Sequence, residues 1–216
     1  MERLGAGVCR SPFDPLAAPP RRGEFVSTWK TFEELQASGK ARSIGVSNFK
    51  PSHLDQLFRE TDIVPAVNQI QVSPPSIPRP AARAFNEANG IITESYSPLG
   101  AGSDLLNAPV LAGIGNKYGK TPGQVVLRWH IQQGLVAIPK TANPQRMKEN
   151  LDIFDFELDH DDLTKLQTLD AGPDAGVDSD VQGALSMGGT KKALICWFVH
   201  SRQERQRRGH RRNFGR

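Results

Sequence analysis

Hydrophobic and polar positions change period several times along this chain. Residues 1–22 are rich in Pro, Ala and Arg and follow neither a helical nor a strand period, which predicts an irregular leader. From Phe25 the pattern becomes regular. Trp29, Phe32, Leu35 and Gln36 recur at helical spacing, and Gly39 supplies a stop. Four short apolar runs follow, at 43–46, 66–70, 91–94 and 136–139, each with the length of a buried strand. Helical patterns occupy 52–60, 79–89, 109–118, 122–133, 144–151 and 161–169. Continuously apolar strands alternating with helices predict an α/β fold on a parallel sheet.

Helix starts are marked by chemistry as well as by period. Thr121-Pro122-Gly123-Gln124 reads as a capping box with proline at the first helical position. Asn143-Pro144 repeats that logic with Asn as the cap, and acidic residues lead into the last helix, where they suit the helix dipole. After Asp180 the text changes: 183–190 is small and polar, ALICWFV (193–199) is an apolar run, and 201–216 holds seven arginines. These breaks divide the chain into a leader (1–22), a body (23–180) and a basic, disordered tail (181–216). The ALICWFV run has the character of a segment that packs on an exposed sheet edge.

Composition bounds the class. The 216 residues suffice for one domain with tails, and 38% hydrophobic content suffices for a core. The net charge of +4 is uneven: the leader carries +2, the body −6 and the tail +8. A basic character confined to the ends says little about the partners of an acidic, enzyme-like body. The arginine-rich tail suits RNA or an anionic surface, but Phe214 is its one aromatic after 200, and solvated disorder is the commoner meaning of such a run. Cys9 and Cys196 sit near opposite ends with no CxxC spacing, which predicts no disulfide framework or metal site and fits reduced thiols in the cytoplasm. No apolar run approaches a membrane span or the core of a signal peptide.

The polar residues gather at strand ends. Ser47-Asn48 follows the first strand, Asn68-Gln69 lies near the end of the second, Ser95-Tyr96-Ser97 ends the third, and Lys140-Thr141 ends the fourth. In parallel α/β folds the strand C-termini form the face that binds ligands. Asn and Gln amides can pair with both atoms of a carboxamide, and Tyr96 offers a ring for stacking; the alternative is that Asn48 and Gln69 merely cap strand ends. IPKTANPQRMKEN (138–150) delivers Lys140 and Thr141 just before a helix carrying Arg146. Helix N-terminal amides with these groups make a convergent anion site, unless the cations are solvated surface. Glu149 and Asn150 suit an adenine edge, or plain solvent.

GKARSIGVSNF (39–49), VNQIQ (67–71), TESYSPLG (93–100), KTPGQVVLRWHIQQG (120–134) and IPKTANPQRMKEN (138–150) together resemble the aldo-keto reductase superfamily, with the nearest likeness to 2,5-diketo-gluconate-reductase-like and xylose-reductase-like members. The resemblance covers about residues 24–178. It implies a (β/α)8 TIM-type barrel, of which this chain carries about strands 5–8 and their helices, binding NADPH and reducing small carbonyl substrates to alcohols by hydride transfer. It places Ser47, Asn48 and Gln69 on the nicotinamide carboxamide and Tyr96 on the nicotinamide ring. It places Ser97 and Leu99 near the pyrophosphate, Lys140, Thr141 and Arg146 on the 2′-phosphate, and Glu149 and Asn150 at the adenine. Two cations and a hydroxyl suit a 2′-phosphate and so favour NADPH over NADH.

The same resemblance implies a catalytic Asp, Tyr, Lys and His from the family's first four strands, and the matching part here begins later, at EFVSTWKTFEEL. Neither tyrosine replaces the missing acid: Tyr96 belongs to the stacking motif, and Tyr118 falls in an exposed-looking NKYGK turn. His53 and His130 lie in helical patterns, where a packed or surface role is commoner. The loop 71–80, QVSPPSIPRP, lacks the family's His-Pro. The expectation is therefore a half-barrel with no catalytic residue of its own, weak or inactive alone, or else a non-catalytic NADPH-binding or interaction module, a truncated pseudo-enzyme. Its open edges predict marginal stability or self-association.

Overall fold

In the computed structural model residues 24–75, 80–172 and 197–198 are described. Residues 1–23, which include the leader, residues 76–79, and 173–216 apart from Trp197 and Phe198, which include the tail, lie outside that set.

Helix α1 (Glu24–Ala37) turns Phe25, Val26 and Trp29 inward, ahead of a short strand β1 (Ser43–Ile44). Strand β2 (Val46–Ser47) follows after one residue, so the first apolar run is two strands broken at Gly45. The break has a steric cause. A Cβ at Gly45 would stand 2.8 Å from the carbonyl oxygen of Val67, so only glycine lets this turn of chain approach the neighbouring strand.

The chain then alternates as its pattern predicts: α2 (Pro51–Glu60), β3 (Val67–Gln71), α3 (Pro80–Ala88) and β4 (Ile92–Tyr96). A 3-10 turn at Asp104–Asn107 leads to α4 (Pro109–Tyr118), α5 (Pro122–Gln132), β5 (Val136–Ile138), α6 (Pro144–Leu151) and α7 (His160–Gln167). The predicted helix starts at Thr121 and Asn143 are correct in detail. The Thr121 hydroxyl accepts from Gln124 N–H while the Gln124 side chain reaches back, and Asn143 Oδ1 accepts from the amides of Gln145 and Arg146. The last helix starts one residue earlier than its pattern suggests, because Asp159 caps it through Asp162 N–H.

β2, β3, β4 and β5 form one parallel sheet in that order, with each strand followed by a helix, which is the arrangement of half a (β/α)8 barrel. Register aligns Ser47, Gln69, Glu94 and Val136 in one row, and Gln71, Tyr96 and Ile138 in the row two residues further on. Because side chains alternate along a strand, both rows share one face. The other face carries Asn68, Thr93 and Ser95, which bond Asn86 of α3 or His130 of α5, so it is the face the helices cover.

Two apolar clusters fill the space between helices and sheet. Trp29, Phe25, Ile44, Phe49, Leu54 and Leu57 build the first; Ile70, Leu111, Val125, Val126, Trp129 and Leu166 are central to the second. Full burial of side chains of this size stabilises by roughly 1.5–3 kcal/mol each. Exposure of apolar residues on the helix-free side concentrates at Ile92, Val136 and Ile138, on the open β5 side of the sheet. The row at Ser47, Gln69 and Glu94 is buried instead. The backbone of Trp197 and Phe198, from the apolar run of the tail, pairs antiparallel with Ile44 and Ser43.

Candidate functional site

The ends of β2 and β4 bring Ser47, Asn48 and Tyr96 into one hydrogen-bonded group with Gln69. Ser47 Oγ donates to the carbonyl of Gln69 (3.1 Å), and the Asn48 N–H donates to the same oxygen (2.9 Å). Tyr96 Oη donates to Asn48 Oδ1 over 3.4 Å. Asn48 sits at φ 59° and Ser97 at φ 50°, so both strands turn sharply as they leave the sheet. Such left-handed backbone on non-glycine residues marks a chain held by its surroundings.

Gln69 itself is not at a strand end. It is the middle residue of β3, because that strand continues to Gln71. Its neighbour Asn68 points the other way: Asn68 Nδ2 donates to Phe49 O (3.0 Å) and to Asn86 Oδ1 (3.3 Å), a structural role under the helices. Gln69 Nε2 donates to a carboxylate oxygen of Glu94, and Gln69 Oε1 is buried with no hydrogen-bond partner among the described residues. Burial pushes the Glu94 carboxyl above its ordinary range, opposed in part by the bond from Gln69. Sequence reasoning missed Glu94. The signal lay in two apolar strands that each carry a polar residue, but only register reveals that the two face each other.

A second group lies beyond β5. Thr141 Oγ1 accepts from Asn143 N–H (3.1 Å), which fixes the turn into α6. Lys140 and Arg146 are exposed, and no described acidic residue forms a salt bridge with either. Glu149 accepts from Gln145 (3.1 Å) on the same helix, and Asn150 is half-buried. Leu99 is half-buried against the second core cluster, two residues past Ser97. All these positions follow strand C-termini, so they share one end of the sheet with the Gln69 group. The fit to a dinucleotide is physical: a buried carbonyl oxygen lacking a donor lies at one side, and exposed cations beside a helix N-terminus lie at the other.

Other chemistry-bearing residues are committed elsewhere. Tyr118 is half-buried, not in an exposed turn: it ends α4, and its hydroxyl donates to Asp162 at 2.5 Å. His130 is fully buried, with Nδ1 2.7 Å from Val126 O and Nε2 3.0 Å from Val72 O, which ties α5 to the sheet. Burial holds its pKa below the usual imidazole range. His53 packs against Phe25 and Phe49. A cavity of about 560 Å³ between α3 and α5, lined by Arg83, Glu87, Ile92 and Leu135, opens at the N-terminal ends of β4 and β5. That is the opposite end from the residues above, where parallel barrels place stability rather than chemistry. Among the described residues, no helix is long and apolar enough to cross a membrane, and no cluster of three or more His, Cys, Asp or Glu could hold a metal.

The aldo/keto reductase family model matches residues 14–171. An aldo-keto reductase of Mycolicibacterium smegmatis is 50% identical over 159 residues, covering 74% of this chain and 57% of that protein. The 2,5-diketo-D-gluconic acid reductase B of a Corynebacterium strain is 44% identical over 153 residues, covering 71% and 55%. The crystal structure of a Gox0644 mutant in complex with NADPH superposes with a TM-score of 0.68 at 45% identity, covering 72% of this chain and 57% of that one. The chain thus spans a little over half the length of the relatives it matches.

Proposed function

This chain belongs to the aldo/keto reductase family, and on that premise we propose that it holds NADPH for the reduction of a small aldehyde or ketone to its alcohol. NADPH supplies the hydride in that chemistry. The observation that supports the reading is that the buried Ser47, Asn48, Gln69 and Tyr96 group and the exposed Lys140 and Arg146 beside the N-terminus of α6 lie toward the same end of the sheet. Ser47, Asn48 and Gln69 hold the nicotinamide carboxamide, with Tyr96 against the ring, Ser97 and Leu99 bordering the pyrophosphate, and Lys140, Thr141 and Arg146 on the 2′-phosphate. Glu149 and Asn150 border the adenine.

One observation limits what the polypeptide does alone. Reduction needs an acid for the carbonyl oxygen, and both tyrosines are engaged, Tyr96 with Asn48 and Tyr118 with Asp162. We therefore infer that these 216 residues bind the cofactor and turn over carbonyls weakly or not at all. NADPH oxidation with methylglyoxal or 2,5-diketo-gluconate, run beside equilibrium binding of NADPH, tests both statements. Saturable binding with turnover near background is the expected pair of results. Rapid turnover would overturn the second statement, and absence of binding the first.

A further inference from the structure

Gln69 is held at its backbone and free to turn at its amide. Its main-chain oxygen accepts from both Ser47 Oγ and Asn48 N–H, and its strand pairs on both sides, with β2 and with β4. What remains undetermined by the backbone is which end of the carboxamide points where. A flipped amide would present two N–H groups to the site in place of one carbonyl oxygen, reversing what it recognises.

Glu94 removes that freedom. It lies directly across from Gln69 in the β3–β4 register, on the face away from the helices, and is 6% exposed. A carboxylate only accepts, so it selects the orientation in which Gln69 Nε2 faces it, and a hydrogen bond to a charged group is stronger than one between neutral groups. Gln69 Oε1 is thereby turned away from Glu94. It is buried and without a partner among the described residues, whereas the neighbouring Asn48 Oδ1 already accepts from Tyr96. The other buried side-chain atom without a partner among the described residues, Gln36 Oε1, is on α1 and unrelated to this row.

We propose that Glu94 is a positioning residue for the cofactor: by taking the Gln69 Nε2–H, it aims the Gln69 carbonyl oxygen at the amide N–H of the nicotinamide carboxamide. This rests on the NADPH reading above. Its effect passes through Gln69, the residue it bonds.

The test compares NADP⁺ with its 3-acetylpyridine analogue, in which a methyl group replaces the carboxamide NH2. Dissociation constants are measured by calorimetry on the 216-residue chain, with circular dichroism to confirm folding. The natural chain is expected to prefer NADP⁺ by about tenfold, the usual consequence of leaving a buried acceptor unsatisfied. Glu94→Met removes the acceptor at similar length and should bring the preference to within about twofold. Glu94→Gln, whose amide can face Gln69 either way, should lower it by about threefold. A merely structural role for Glu94 would weaken both ligands equally and leave the ratio unchanged. If Glu94→Met fails to fold, the Glu94→Gln ratio decides alone, and a ratio equal to the natural chain's overturns the proposal. Binding of NADP⁺ without preference over the analogue would overturn it too, while the NADPH reading stood. No saturable binding of either ligand would remove both.

Discussion

Gln69 donates from Nε2 to the Glu94 carboxylate across adjacent parallel strands, and the pair is buried on the sheet face opposite the one that bonds α3 and α5. The pair has a consequence for stability as well as for recognition. Burial raises the Glu94 pKa above its ordinary 4.5, so the folded chain keeps this proton to higher pH than the unfolded chain does. Between those two values the native state binds more protons, and stability falls as pH rises.

Urea denaturation across the range from pH 4.5 upward should therefore show a declining contribution from this site as Glu94 ionises. Glu94→Gln, which cannot ionise, should flatten that decline. An identical pH dependence in the variant would show that the burial of Glu94 does not govern it.

Lys140 and Arg146 flank the N-terminus of α6 and form no salt bridge with a described acidic residue. If they hold a 2′-phosphate, Arg146→Ala should weaken NADPH binding by about tenfold and leave NADH within about twofold, since one charge-assisted contact is worth about 1.5–3 kcal/mol. Equal losses for both cofactors would place Arg146 elsewhere. Calorimetric titration with each cofactor gives the ratio directly.

Asp162 is the polar anchor between α4 and α7. Its buried carboxylate accepts from Lys117 Nζ (2.9 Å) and from the Tyr118 hydroxyl (2.5 Å). Asp162→Ala should cost roughly 2–3 kcal/mol of unfolding free energy, because three donors, Lys117 Nζ, the Tyr118 hydroxyl and the Asp159 N–H, lose their shared acceptor. Its neighbour Asp159 is held down to about 2 by its hydrogen bond from Lys117. A carboxylate whose folded pKa is depressed stabilises above its ordinary 3.8, and that contribution is lost as pH falls toward about 2. Asp159→Asn should remove this residue's share of the acid sensitivity in that window, leaving the share of Asp155, which its hydrogen bond with Lys120 also holds below the ordinary range.

Much of the architecture was legible because its causes are local. Apolar runs marked the parallel strands, and Thr121 and Asn143 marked helix starts through their own side-chain oxygens. What escaped depends on neighbours distant in sequence. Gly45 breaks the first run because Val67 stands across from it. Tyr118 looked exposed until Asp162, 44 residues later, came within reach. For the candidate site, candidate residues could be named from strand ends and motif likeness, but the face each residue uses could not. Asn68 and Gln69 are adjacent letters on opposite faces, and Glu94 acquires meaning only through its register with Gln69.

The open side of the sheet makes a separate prediction. Val136 and Ile138 are 45% and 43% exposed on β5, which pairs with β4 alone among the described strands. Unpaired edges with exposed apolar residues promote association. Sedimentation velocity should show self-association that rises with concentration, and the Val136→Lys, Ile138→Lys double variant should reduce it. A monomer at all concentrations would contradict this expectation.

The most direct test of the central claim is a circular-dichroism thermal melt of the 216-residue chain, alone, with NADPH and with NADH. Ligand at about 100 times its dissociation constant adds about 2.7 kcal/mol to a folded state that binds it, which for a chain of this size corresponds to roughly 5–10 °C. A cooperative transition raised by that amount with NADPH, and by clearly less with NADH, is the predicted result. A broad transition that neither cofactor moves would contradict a folded, phosphate-selective nucleotide site in this chain.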